Sequence, residues 1–213
     1  MSKRNIAALF LVMVMCLTLL AACNRGGSES AEVTEVHIGL LGPWTGGASY
    51  FGMSVFNGAM MYINNFNAQG GLQIRVSDRD EEGDAARAVT MYNDLVDAGV
   101  TAIIGSVTSG PTRAVVPEAF ADGMPMITGT ATHAGVTVNQ DTGEVFTNMF
   151  RSCFIDPFQG VKMAEFAVEI LGAQTAAVLY AHDIDYSIGL RDAFVARSAE
   201  IGLQVIHEET FAD

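Results

Sequence analysis

Two short segments combine glycine with hydroxyl side chains directly after apolar runs of the kind found in buried strands. Residues 105–111 read GSVTSGP, with Thr108 and Ser109 just ahead of a predicted helix, and Thr130 and Thr132 follow the next apolar run. Hydroxyl groups and the free amides of a helix N-terminus together bind small anions, and a carboxylate fits this description. The pattern therefore predicts a small carboxylate site. The alternative is that Thr108 or Ser109 only caps its own helix.

A glycine-rich segment after the first apolar run carries three aromatic residues. Trp44, Tyr50 and Phe51 lie between Gly42 and Gly52. Aromatic side chains on a loop beside a polar anchor are typical of a pocket for the apolar part of a ligand. The alternative, which has most weight for Tyr50, is that these rings pack beneath the loop.

The elements that must position these residues alternate along the chain. Apolar runs predict strands at 36–41, 72–78, 101–104, 124–128, 145–151, 176–180 and 203–208, and helical patterns lie at 53–67, 84–98, 112–121, 157–171 and 187–201. This alternation predicts an α/β fold with parallel sheets sandwiched by helices. Ligands bind at the carboxyl ends of parallel strands, which is where the hydroxyl-bearing and aromatic segments fall.

Helix signals refine these boundaries. Asp84 and Asp156 are predicted N-caps of the second and fourth helices. Pro117 within the third helix predicts a kink or a restart there. A change of composition at 150–156 predicts a crossing between two lobes, with residues 35–152 as the amino-terminal ligand-binding lobe. Residues 153–213 then form only part of a second lobe, because two strands and two helices are too few for a finished domain.

The amino-terminal residues predict export and lipidation. Lys3 and Arg4 precede an apolar run that ends in Leu-Ala-Ala-Cys. This pattern predicts a lipoprotein signal peptide over 1–22, an acylated Cys23 and a lipidated tether over 23–34. The folded part would then be extracytoplasmic and held at a bacterial cell membrane by lipid. The alternative is an ordinary secretory signal that leaves Cys23 free.

Composition argues against several other classes of function. Without Lys3 and Arg4, nine basic residues face 24 acidic ones, a balance that argues against nucleic-acid binding. The four histidines lack metal-ligand spacing. The acidic segment 78–83 resembles the opening of a calcium loop, but Val89 occupies the twelfth position, so a solvated loop is expected. We expect neither a metal nor another cofactor.

Enzyme signatures are also missing from the sequence. It contains no nucleophile elbow, dinucleotide fingerprint or phosphate loop. Cys153 is the single cysteine left after the predicted lipidation site, so no intramolecular disulfide is expected. We expect no enzyme activity. An anchored hydrolase that uses Cys153 or a loop serine is the alternative from a different class.

The ordered set of segments resembles a known family. The sequences IGLLGPWTGGASYFG, FNAQGGLQIRVSDRD, AIIGSVTSGPTRAV and GMPMITGTAT, in this order and spacing, resemble the branched-chain amino-acid (Leu/Ile/Val) binding proteins. The resemblance extends over nearly all of residues 36–213. It implies a two-lobe type I periplasmic binding protein fold, with a complete first-lobe core and a partial second lobe, so that the carboxyl-terminal part of the family chain is expected to be missing.

The resemblance also implies roles for particular residues. The Ser109 and Thr132 hydroxyls would hold the ligand α-carboxylate, and the Thr130 carbonyl would accept a hydrogen bond from the α-ammonium. Trp44 and Phe51 would flank the ligand side chain.

In the second lobe, Tyr186 would close over the ligand.

The implied function is a substrate-binding lipoprotein for amino-acid transport that captures a small amino acid, or a related carboxylate or amide. By hinge closure it would deliver this ligand to the permease of an ABC transporter in the membrane. The alternative within the fold is a ligand-binding sensor or regulator that feeds no transporter.

Overall fold

The structure, a computed structural model, describes residues 34–212. The predicted signal peptide, the predicted lipidation site Cys23 and the tether up to residue 33 lie outside the described residues. Among residues 34–212, no helix has the length and apolar character needed to cross a membrane.

The strands form two parallel sheets. The larger sheet has the order β2-β1-β3-β4-β5, and β6 pairs with β7 in the smaller one. The strands are β1 (Glu35–Gly42), β2 (Gln73–Asp80), β3 (Ala102–Ile104), β4 (Met126–Thr128), β5 (Met149–Arg151), β6 (Thr175–Ala181) and β7 (Gln204–Phe211). The predicted parallel α/β architecture is confirmed.

Five helices connect these strands within residues 34–212. They are α1 (Ser49–Asn67), α2 (Ala85–Asp97), α3 (Ser109–Asp122), α4 (Asp156–Glu169) and α5 (Asp185–Ile201), and a single 3₁₀ turn spans Ala134–Val136. The five-stranded sheet takes its strands from residues before 152 and the two-stranded sheet from residues after it. The division into lobes at this position stays a prediction.

The main core lies between the five-stranded sheet and helices α2 and α3. Alternate strand residues point to this side, and they bury their side chains against both helices. Members of this cluster include Leu41, Ile103, Met126 and Met149 from the strands, Tyr92 and Leu95 from α2, and Val115, Val116 and Ala119 from α3. Burial of this apolar surface fixes the carboxyl ends of β1, β3 and β4 side by side.

Helix α1 lies on the opposite face of the same sheet. Tyr62 and Ile63 of α1 line a groove of about 310 Å³ together with strand residues such as Ile38, Ile104 and Ile127. Beyond the helix, Ile127 and Phe150 remain 42% and 53% exposed. None of the residues predicted to bind ligand lines this groove.

Several predicted boundaries differ from the structure by a few residues, and two of the differences have a clear physical reason. Helix α3 begins at Ser109 and continues through Pro117, so the predicted restart is wrong and the kink stays a prediction. Pro117 lies at an exposed position, where water can bond the carbonyl that the missing N–H leaves free. Strand β5 begins only at Met149, because Val145 pairs instead with Val138 and Phe146 packs edge-on against Phe120.

One of the two predicted caps is confirmed. The Asp84 carboxylate accepts a hydrogen bond from the Arg87 amide at 2.7 Å and caps α2. The prediction for Asp156 is wrong, because α4 starts at Asp156 itself and follows Ile155, and no side chain caps this helix. Asp156 is fully buried instead.

Candidate ligand-binding site

Three loops lie next to one another at the carboxyl edge of the five-stranded sheet. They follow β1, β3 and β4, which are neighbours in the sheet. We call them the first loop (residues 43–48), the second loop (residues 105–108) and the third loop (residues 129–133). Their adjacency brings together residues that are far apart in the sequence.

Hydrogen bonds join the second loop and the start of α3 to the third loop. The His133 amide donates to the Ser109 hydroxyl oxygen at 3.3 Å, and the Thr130 hydroxyl donates to the Val107 carbonyl at 2.6 Å. Ser109 and Thr132 are both buried, with 4% and 6% exposure. The Ser109 oxygen accepts this bond, so its own proton is available to a ligand. The structure thus brings Ser109, Thr130 and Thr132 together at the N-terminus of α3.

The simpler interpretation of these hydroxyls as helix caps is wrong. Thr108 occupies the N-cap position of α3, but its side chain makes no capping hydrogen bond. Ser109 is the first residue of the helix and bonds the third loop instead. The Thr108 carbonyl accepts from the amide and the hydroxyl of Thr112. Neither the Thr108 nor the Ser109 hydroxyl therefore makes a capping hydrogen bond to α3.

The two aromatic residues predicted to flank a ligand have different environments. The Trp44 ring makes an edge contact with Phe56 of α1 at 5.2 Å between centroids. It also lies against Gly42, where an added Cβ would come within 2.7 Å of the indole. Phe51 is 48% exposed and packs against Tyr50 with the two rings tilted and their centroids 4.0 Å apart. The structure does not pair Trp44 with Phe51; each ring has its own partner.

Tyr186 lies in the first turn of α5. Its hydroxyl donates to the Gln159 side chain of α4 at 3.4 Å, so its partner is in the second sheet's helices rather than in the three loops. The preceding residue, Asp185, forms an ion pair with Arg113 of α3 at 2.7 Å. This pair places the start of α5 beside the helix that begins with Ser109.

Two carboxylates at the end of β2 support the loops, and the sequence analysis did not identify them. Asp80 accepts hydrogen bonds from the Trp44 amide at 2.8 Å and from the Thr45 hydroxyl at 2.6 Å. Burial acts to raise the pKa of Asp80, but the bonds from Thr45 and from three backbone amides outweigh it and lower that pKa. Asp80 therefore holds the first loop as an ionised acceptor.

Glu81 is fully buried next to the second loop. Its carboxylate accepts from the Ser106 hydroxyl at 2.7 Å and from the Gly83 amide at 2.5 Å. Burial raises the pKa of Glu81 against the effect of these two bonds. The prediction of a solvated loop over 78–83 is wrong for this residue. The available signal was an acidic pair immediately after a strand, at the edge where ligands bind.

Asp156 lies next to Thr132 and has no exposed surface. Its amide donates to the Thr132 carbonyl at 2.9 Å, but neither carboxylate oxygen has a hydrogen-bond partner that meets normal geometry among the described residues. Burial raises the pKa of Asp156, and the nearby Thr132 hydroxyl, His133 and Arg151 act in the opposite direction. The backbone of Asp156 fixes the third loop from the side of α4.

The remaining candidates for chemistry are not activated. The Cys153 thiol donates to the Ala131 carbonyl at 3.6 Å, and burial raises the pKa of this thiol, which is unfavourable for a nucleophile. Burial and the nearby Arg113 lower the pKa of His133. Over residues 34–212, no group of three or more histidine, cysteine or acidic side chains is arranged to hold a metal ion.

Comparison with known families identifies the family to which the chain belongs. The family model described as periplasmic binding protein matches residues 35–212. The chain belongs to the periplasmic binding protein family. This periplasmic binding protein places its three loops at the sheet edge where the fold provides for ligands.

Curated relatives bear names that refer to amino acids. Leu/Ile/Val-binding protein homolog 3 of Brucella melitensis is 29% identical over 188 residues, which cover 86% of this chain and 49% of that protein. Amino acid binding protein of Pseudomonas aeruginosa is 33% identical over 198 residues, which cover 89% of this chain and 50% of that protein. The chain thus spans about half the length of these relatives.

Solved structures show the same fold. Leucine binding protein LivK from Thermotoga maritima aligns with a TM-score of 0.73 and 32% identity, over 83% of this chain and 49% of its own. The substrate-binding protein LivJ from Streptococcus pneumoniae, solved with isoleucine, aligns with a TM-score of 0.74 and 31% identity. That alignment covers 84% of this chain and 50% of LivJ.

Proposed function

We propose that this periplasmic binding protein captures a small amino acid, or a related carboxylate or amide, outside the cytoplasm and delivers it to an ABC-type permease. The names of its relatives support an amino-acid ligand. The observation that carries the proposal is the hydrogen bond from the His133 amide to Ser109. It joins two hydroxyl-bearing segments at the N-terminus of a helix, where a carboxylate is stabilised.

Each site residue then has a role in the proposed complex. The Ser109 and Thr132 hydroxyls donate to the ligand carboxylate, with Thr108 beside them at the N-cap. The Thr130 carbonyl accepts none of the hydrogen bonds among residues 34–212, so it is available to the ligand ammonium.

The apolar side chain of the ligand lies toward the first loop. Phe51 offers an exposed ring to it, and Trp44, which lies against Gly42, supplies a separate apolar surface on the first loop. Tyr186 approaches from α5, which the Arg113–Asp185 ion pair holds next to α3.

Transport follows from closure of the protein over the ligand. A ligand that touches both sheets stabilises the closed arrangement, and a permease that recognises this arrangement accepts only loaded protein. Acyl chains on Cys23 would keep the protein close to the membrane that contains the permease.

A thermal-shift screen tests this function. The full chain, with everything its gene encodes after the lipidation site, is heated with amino acids, amides and aromatic acids one at a time. A ligand at a hundred times its Kd stabilises the folded state by about 2.7 kcal/mol, which a melting curve detects.

Two substitutions connect any shift to the site. Ser109→Ala and Thr132→Ala should each weaken ligand binding by about tenfold or more, since each removes a hydrogen bond to a charged group. Thr90→Ala, on the exposed side of α2, is the matched control and should leave the shift unchanged. The proposal fails if no compound stabilises the protein and the purified protein carries no ligand.

A further inference from the structure

We propose that Glu81 is a positioning residue of the ligand site, which acts through Ser106 and Thr128 on the loops that carry the ligand-binding hydroxyls. This inference rests on the function proposed above. Glu81 lies at the end of β2, an edge strand that itself carries none of the residues assigned to the ligand.

A continuous chain of hydrogen bonds leads from Glu81 into the site. The Ser106 hydroxyl donates to Glu81 at 2.7 Å, and the Thr128 hydroxyl donates to the Ser106 carbonyl at 2.7 Å. The Thr128 oxygen in turn accepts from the Ala131 amide at 3.1 Å and from the Thr130 amide at 3.4 Å. The chain thus ends directly before Thr132.

This chain is shielded from water. Glu81 and Ser106 have 0% exposure and Thr128 has 1%. Water cannot replace a lost partner at such positions, so each link holds its neighbours in one arrangement, and removal of a link leaves a buried polar group unpaired. The carboxylate is the end of the chain, because it accepts bonds and has none to donate when ionised.

The backbone of the second loop is also confined by close packing. An added Cβ at Gly105 would lie 2.0 Å from the Leu41 carbonyl oxygen, so the loop runs directly against β1. The Glu81–Ser106 bond and the bond from the Thr128 hydroxyl of β4 to the Ser106 carbonyl hold the loop further. Ser106 is three residues before Ser109, and a shift of this loop therefore moves Ser109 relative to Thr132.

Alanine and glutamine at position 81 are expected to affect the loops differently. Alanine removes both acceptors, which leaves Ser106 and Gly83 without partners. Glutamine retains one acceptor for the Gly83 amide, and its NH₂ group can donate to the Ser106 oxygen. Glutamine should therefore preserve most of the loop position, whereas alanine should not.

The test compares Glu81→Ala, Glu81→Gln and Ser106→Ala in the full chain with Tyr92→Phe. Tyr92→Phe removes another buried hydrogen bond, to Asp122 at 2.8 Å, at the opposite end of α3. For each variant we would measure the Kd for the amino acid that stabilises the wild type best. Hydrogen exchange at the amides of residues 105–107 and 130–131 reports the loops without any ligand.

We expect Glu81→Ala and Ser106→Ala to raise the Kd at least tenfold and to speed exchange at these amides. Glu81→Gln should stay within about threefold of the wild-type Kd, and Tyr92→Phe should change neither readout. Unchanged loop exchange in Glu81→Ala, or faster exchange with an unchanged Kd, would overturn the proposal. If the wild type binds no amino acid but the two variants still loosen both loops, the positioning role stands and the proposed ligand class fails.

Discussion

At the level of single residues, three carboxylates lie beside the loops of the candidate site, and each has a different environment. Asp80 and Glu81 accept hydrogen bonds from the loops, whereas the buried oxygens of Asp156 accept none of normal geometry among residues 34–212. A buried carboxylate without such partners is unfavourable in its ionised form. Asp156 therefore lowers the stability of the folded state near neutral pH.

Replacement of Asp156 by asparagine tests this cost. The folded-state pKa of Asp156 is raised by burial, so the folded chain binds this proton more tightly than the unfolded chain does. Its contribution to stability is complete below the unfolded pKa and is lost as the pH rises through the folded pKa. We expect Asp156→Asn to be more stable than wild type at pH 7 by about 1 kcal/mol.

Urea unfolding of Asp156→Asn and wild type between about pH 4 and pH 8 shows whether the stability difference has the predicted sign and pH dependence. The advantage of Asp156→Asn should shrink as the pH falls. Asp97→Asn, a change of the same kind at an exposed position, reports the effect of removing one charge. A difference between Asp156→Asn and wild type that is the same at every pH would contradict this account.

The carboxylates also show where sequence reasoning stops. The hydroxyls of Ser109 and Thr132 stood out because glycine and hydroxyl residues after an apolar run are a local pattern. Glu81 and Asp156 have no such pattern, since their burial depends on contacts with residues 25 and 24 positions away along the chain. An acidic residue beside a predicted turn is usually solvated, and only the folded arrangement distinguishes these two.

At the level of elements, helices α4 and α5 pack closely through a glycine. A Cβ added at Gly160 would lie 2.6 Å from the Leu190 carbonyl oxygen and 2.7 Å from the Ala193 Cβ. Backbone lies on one side of this contact, so the two helices would have to separate to accept a methyl group. Gly58 in α1 is different, because an added Cβ there meets nothing within 4 Å.

These two glycines make a matched pair of substitutions. Gly160→Ala should destabilise the protein by about 1–3 kcal/mol through overpacking. Gly58→Ala should stabilise it by about 0.5–1 kcal/mol, because alanine has the better helix propensity. Urea unfolding of each variant gives both values. Equal effects of the two changes would show that α4 and α5 do not pack through Gly160.

Helix and strand positions were predicted well where a local signal exists. Asp84 caps α2 as expected because the cap is formed within four residues. The start of α3 was placed too late, since Ser109 enters the helix while its side chain bonds the third loop. The start of β5 was placed too early, because burial of Phe146 against Phe120 decides where the strand can begin.

At the level of the whole molecule, the strand order brings together the loops of the candidate site. Neighbouring positions of β1, β3 and β4 bring together loops that begin at residues 43, 105 and 129. The alternation of strands and helices predicts a parallel sheet, but the order of its strands is known only from the structure. The open apolar face near Ile127 and Phe150 was not predicted from the sequence either.

The measurement that tests the central claim most directly is a calorimetric titration of the full chain with two matched compounds. One is the amino acid that raises the melting temperature most, and the other is its carboxamide, which keeps the ammonium and the side chain but has no negative charge. Hydroxyls at a helix N-terminus should favour the carboxylate, so we predict one bound amino acid per chain and a carboxamide Kd about 100-fold higher or more. Equal affinity for the two compounds would contradict a carboxylate site formed by Ser109 and Thr132.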